Sequence, residues 1–142
     1  MDTQGNPIAI YNQYVNFGWE YVLHCHLLGH EEMDMMHGFP FAVAPWAPTN
    51  LTAAGPVGNV VLNWTDNSVV ETSLIIEYAD NLDGPWTFLT ELPSDSVTYT
   101  DAGTFAGTRY YRVFARNSVG STVPTFPVIN ADSAPAVSNP VP

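Results

Sequence analysis

Residues 109–117, RYYRVFARN, decide the fold. Neighbouring side chains on an extended strand point to opposite faces, so this stretch sets Tyr111, Val113 and Ala115 on one side and Arg112 and Arg116 on the other. One face is apolar and the other charged, as expected of a strand with one side buried. The same period of two recurs upstream. NVVLNWT (59–65) lines up Val60, Leu62 and Trp64, and SLIIEYA (73–79) lines up Leu74, Ile76 and Tyr78, each with a largely polar opposite face. Between them lie turn clusters such as DNLDGPW (80–86), and WTFLTEL (86–92) and SVTYTD (96–101) read as further strands. With residues 51–56 and 121–130 the count reaches about seven short strands, the pattern of an all-β sandwich. Trp64, Ile76, Tyr99 and Tyr111 are its expected core.

Chemistry divides the chain near residue 45. Residues 1–45 hold every His, every Met and the single Cys but no basic side chain. Residues 46–142 hold all three Arg and nine of the fourteen carboxylates. The net charge of −11 is therefore spread along the chain, and no Lys is present. Without a basic stripe, nucleic-acid binding and attachment to anionic membranes are excluded as expectations. One cysteine permits no internal disulfide. The opening MDTQGNPIAIYNQY (1–14) lacks the basic and apolar regions of a signal peptide, and no run of about 18 apolar residues is present to span a bilayer.

Toward the N-terminus, VNFGWEYVLHCH (15–26) alternates in strand fashion. LLGHEEMDMMHG (27–38) predicts a tight turn or one turn of helix, with Gly29 and Gly38 as breakers. A short strand is expected over residues 41–44, followed by a Pro-punctuated boundary at 45–49. The expected organisation is a first unit over 1–45, a sandwich over 46–130 and a flexible Pro/Ala/Ser tail over 131–142. A 45-residue piece with two or three strands cannot bury its own apolar residues, so the first unit is expected to be loosely ordered or to lean on the sandwich.

The chemistry concentrates in HCHLLGHEEMDMM (24–36). If the strand runs through it, His24 and His26 face one way and Cys25 the other, so one segment offers a thiolate to one site and two imidazoles to another. His30 and Met35 follow at intervals of five, and a turn at Gly29 returns both to the thiolate's side. Thiolate, imidazole and a weak thioether are donors for a blue-copper centre, short of one histidine. Zinc is the competing metal, but its usual pair of cysteines is missing. A histidine-rich turn with no metal is the plain alternative. His37 reads as a surface histidine and Met36 as the nearest rival to Met35. Arg109, Arg112 and Arg116 read as a solvated row paired with carboxylates.

The stretch 24–36 resembles the last copper motif of the multicopper oxidases: His-Cys-His, three residues, His, four residues, Met. That resemblance covers about residues 15–45 and implies a fragment of a cupredoxin β-barrel. It implies copper bound through Cys25, His30 and Met35 at a type 1 site, and through His24 and His26 at a trinuclear cluster where dioxygen is reduced to water. It further implies proton relay by Glu31, an unidentified reducing substrate, and an extracellular or periplasmic location. The other histidine segments of that family are missing, so the chain alone holds three of four type 1 ligands and two of eight cluster ligands. Residues 47–130 resemble an immunoglobulin-like fibronectin type III domain through APTNLTA (47–53), Trp64, SVTYTDAGTFAGT (96–108) and YYRVFARNSVG (110–120). In that comparison either Arg109 or Tyr110 stands at the family's corner tyrosine. Two functions compete: the C-terminal part of a multicopper oxidase, or a non-catalytic fibronectin type III module, in contact with protein or polysaccharide, attached to an inert oxidase remnant.

Overall fold

A computed structural model describes residues 21–39, 41–121 and 126–142. β-Branched and aromatic residues at alternate positions build its strands, and turn residues end them. After a short hairpin, β1 (Tyr21–His24) and β2 (Met36–Phe39), come the strands of a sandwich: β3 (Thr49–Ala54), β4 (Val60–Thr65), β5 (Ser73–Ala79), β6 (Thr87–Pro93), β7 (Thr98–Asp101), β8 (Tyr110–Ser121), β9 (Phe126–Asp132) and β10 (Ala136–Val137). All pairings are antiparallel. β3, β4 and β7 form one sheet; β10, β8, β5 and β6 form the other, with β9 also on β8. No helix among the described residues is long and apolar enough to cross a membrane.

The core lies where the two sheets face each other. Val60 and Leu62 from one sheet meet Leu74, Ile76, Tyr111 and Val113 from the other, all with no exposed surface. Trp64 is buried beside them, and Tyr99 packs against the cluster. The apolar faces read from the sequence are thus the core faces, except that Tyr78 is only half-buried. Ile75 is a difference. It lies on the face expected to be polar, yet it is buried. Its ladder neighbours there are Phe114 and Glu91, and long side chains on adjoining strands cover a small aliphatic one.

Asp101 ends β7 in one sheet, and Tyr111 lies in β8 of the other. The Tyr111 hydroxyl donates to Asp101 Oδ2 at 2.8 Å, while the Gly103 amide donates to Asp101 Oδ1 at 2.7 Å. Arg109 completes the group, with Nη1 at 3.6 Å from Asp101 Oδ2. Its guanidinium carbon stands 4.1 Å from the ring centres of both Tyr78 and Phe105. Arg109 was expected on a solvated face with Arg112 and Arg116; instead its side chain is only 11% exposed. Aromatic rings and a buried carboxylate together make that burial favourable for a weakly hydrated guanidinium. Arg112 and Arg116 do pair near the surface, with Glu77 and Asp132. The hydroxyl that reaches across the sandwich is that of Tyr111.

Two further expectations are corrected. Residues 41–44 form no strand, and 41–48 carry no regular structure; the strand lies earlier, at Met36–Phe39, where it pairs with β1. Pro45 and Pro48 have no amide hydrogen to give to a ladder. The tail over 131–142 is not flexible but packed along β8. Arg116 faces Asp132, Val113 faces Ala136 and Arg109 faces Val141, so the tail gains one residue twice along the way. A serine absorbs each step. Ser133 and Ser138 give their amides to the carbonyls of Ala115 and Tyr111, and their hydroxyls accept the amides of those same two residues. Val141, 2% exposed, then closes the core. A Pro/Ala/Ser composition hides this, because the signal is two hydroxyls and one valine at the right register.

Burial, and then the hydrogen bond and charge of Asp101, raise the Tyr111 phenol above its ordinary pKa. The unfolded chain therefore loses this proton first as pH climbs past about 10, so stability falls on the alkaline side. Tyr111→Phe is expected to lower unfolding free energy near neutral pH by about 1–3 kcal/mol and to flatten the alkaline decline, read from urea titrations across pH. Val141→Ala is expected to cost about 2 kcal/mol by the same measurement.

Candidate metal centre

β1 and β2 pair over four residues, from Tyr21 opposite Phe39 to His24 opposite Met36. Between them the backbone turns on itself. The Leu27 carbonyl accepts the amides of His30 and Glu31, at 2.8 and 3.0 Å, making a single helical turn, α1 (Leu28–Glu31). The His30 carbonyl then takes the amides of Met33 and Met35, both at 3.1 Å. Asp34, in the left-handed region at φ 56°, reverses the chain and delivers Met36 to its place opposite His24. Aspartate is among the few residues that accept that conformation readily. The reversal was expected at Gly29. That glycine lies inside α1 instead, with open space where a Cβ would stand.

The strand expected over 15–26 is a strand over Tyr21–His24 among the described residues, and 15–20 lie outside them. Cys25 and His26 follow in irregular backbone, so strict alternation does not run through the motif. Even so, Cys25 Sγ stands 3.5 Å from His30 Nδ1, and the rings of His24 and His26 lie 4.7 Å apart. Leu23, His24, Cys25, Met35, Met36 and His37 line one hollow of about 470 Å³. Cys25 and Met35 thus reach the same space, which His24 shares with them rather than facing away from it. His24 Nδ1 is buried with no hydrogen-bond partner among the described residues. Glu31 is half-buried directly after His30, and His37 is exposed on β2.

The donor set suits a soft ion. A sulfur and a nitrogen bound to one tetrahedral ion at about 2.3 and 2.0 Å stand roughly 3.5 Å apart, which is the separation found. Cys25 and His30 therefore stand at the spacing that a shared ion requires, and Met35 brings a thioether to the hollow that Cys25 lines. The surroundings are open, with Leu23, Leu28 and Met33 at 69%, 71% and 71% exposure. Sequence spacing found all of these residues. It gave no sign of another grouping in the sandwich, where Asp66, Glu71 and Asp95 bring ligand atoms within 4.8 Å of one another.

No family model and no curated protein sequence matches the chain. Solved structures do. Titin domains A168–A170 align over 75% of this chain and 35% of theirs, at TM-score 0.54 and 20% identity. The kinase region of C. elegans twitchin, described as Fn31-NL-kin-CRD-Ig26, aligns over 70% of this chain and 16% of its own, at TM-score 0.51 and 21% identity. An Fn3-like protein of Clostridium thermocellum aligns over 68% of this chain and 94% of its own, at TM-score 0.46 and 26% identity. The fold is an Fn3-like, immunoglobulin-like β-sandwich. As expected, the described residues are all-β apart from the single turn α1, and the sandwich is built of antiparallel sheets, with no closed barrel among those residues.

Cys25→Ser and His30→Ala are each expected to weaken uptake of monovalent copper by at least about tenfold. His37→Ala is expected to leave it within about threefold. Competition against a chromogenic copper(I) chelator reads both.

Proposed function

We propose that the chain acts as a non-catalytic Fn3-like module, a rigid spacer or docking unit within a larger assembly, and that the Cys/His hairpin is an appendage to it. One observation carries this reading. Every buried apolar residue among the described ones lies between Pro45 and Val141, and none belongs to the hairpin, so the sandwich closes without it. A core that is complete by itself is what a portable module requires. Asn117 Nδ2 donates to the Val43 carbonyl at 3.0 Å, a polar contact with the segment that leads from the hairpin into the sandwich.

A second reading rests on the approach of Cys25 to His30. Here the hairpin is the end of a multicopper oxidase, its remaining copper ligands carried elsewhere. Cys25, His30 and Met35 would hold a type 1 copper, which supplies one-electron transfer when bound. His24 and His26 would serve a trinuclear cluster, with dioxygen and an unidentified reductant as substrates. Glu31 would hold and pass a proton beside His30. An extracellular or periplasmic setting goes with this reading. The exposed Leu23, Leu28 and Met33 are then surface awaiting the rest of a cupredoxin barrel.

Deleting residues 1–40 tests the module. Its unfolding free energy is expected to stay within about 1 kcal/mol of the whole chain's, and a larger loss would mean that the hairpin is part of the fold. Copper(II) added to the chain alone is expected to give no intense visible thiolate-to-copper absorption. If a polypeptide carrying the missing histidine segments elicits that absorption, and Cys25→Ser removes it, the oxidase reading prevails.

A further inference from the structure

Glu71 is buried in the loop between β4 and β5, 8% exposed, and its Oε2 is shielded from solvent without any hydrogen-bond partner among the described residues. Its Oε1 accepts a long contact from the Asp95 amide at 3.4 Å. A buried carboxylate oxygen left in this state is costly unless something positive meets it. What surrounds it is negative. Asp66, one residue past the end of β4, and Asp95, in the turn between β6 and β7, bring carboxylate oxygens within 4.8 Å of it and of each other. Burial, and the charges of Glu71 and Asp95, raise the Asp66 carboxyl above its ordinary pKa, against the Ser68 amide that lowers it.

The chain has no side-chain cation to spare for this group. Its only basic side chains are Arg109, Arg112 and Arg116, and these pair with Asp101, Glu77 and Asp132. Its four histidines all lie in the hairpin segment, at positions 24–37. The donors are all carboxylate oxygens, without nitrogen or sulfur. Such a set selects a hard cation, and carboxylates drawn from two separate loops suit the irregular, high coordination of calcium better than the strict octahedron of magnesium.

We propose that Asp66, Glu71 and Asp95 form a binding site for one calcium ion. β4 belongs to the three-stranded sheet and β6 to the other, so the ion joins the two sheets at one end of the sandwich. Glu71 is the inner ligand, and Asp95 is the exposed arm that closes over it. The site is independent of the hairpin, whose sulfur and imidazole donors calcium does not favour.

The test uses the full chain, stripped with chelator and titrated with calcium near neutral pH by calorimetry, with melting temperature followed in parallel. One saturable site and a melting point that rises with calcium are expected. Asp95→Asn preserves the left-handed backbone at φ 61°, because asparagine tolerates it. It is expected to weaken binding by at least about tenfold. Glu71→Gln is expected to abolish saturation, and Asp83→Asn, in the loop between β5 and β6, to leave affinity unchanged. The proposal is overturned if millimolar calcium gives no saturable binding, the result expected of a proton shared between Asp66 and Glu71. It is overturned equally if Asp95→Asn binds as the unaltered chain does, or if Asp83→Asn weakens binding as much, the signs of diffuse attraction to an acidic surface.

Discussion

The hydrogen bond from Tyr111 to Asp101 joins the two sheets inside the core, and much of the sandwich is arranged so that it can exist. A carboxylate 3% exposed must be paired and hydrogen-bonded to be tolerated. Asp101 meets that demand with the Tyr111 hydroxyl, the Gly103 amide and the Arg109 guanidinium. Arg109 in turn is held by the rings of Tyr78 and Phe105 and by the backbone bridge to Val141. Removing one member therefore strands the others. Such a group fixes how β7 is placed against β8, where apolar packing alone tolerates sliding.

Positive charge is scarce in this molecule, and its placement organises the surface. All three arginines lie on or beside β8, each beside a carboxylate from another strand or loop, and Arg112 and Arg116 also lie over Trp86 and Phe114. Asp66, Glu71 and Asp95 have no arginine salt bridge among the described residues, although Arg116 pairs in register with Ser73 close by. What sets this group apart from the other carboxylates is the burial of Glu71. The hairpin follows a different rule. Its backbone bonds are internally satisfied while its apolar side chains face outward, so it is locally well formed and globally uncovered.

The sandwich was legible because period two is a direct imprint of burial: Val60, Leu62 and Trp64, or Tyr111, Val113 and Ala115, sit inward wherever one side faces a second sheet. The candidate copper residues were legible because they lie within a dozen positions and their order is specific. The premise offered for them, an unbroken strand, held only as far as His24; a helical turn and the left-handed Asp34 bring Cys25 and His30 together instead. Other features left no local trace. Arg109 is buried by partners near and far along the chain, Ser133 and Ser138 matter only in register with β8, and the Asp66, Glu71 and Asp95 group comes from two separate loops. Contacts made across the fold have no spacing to read.

The packing of the last residues against β8 has a consequence for biosynthesis. A ribosome delivers the chain from its amino end, and β3 to β8 can pair before residues 133–141 have left the exit tunnel. Until Val141 emerges, Arg109 and Tyr111 lack their last backbone partners and one edge of β8 stands open to any neighbouring strand. Closure thus follows the pairing of β3 to β8, and the nascent polypeptide is most prone to mispairing in the interval before residues 133–141 emerge.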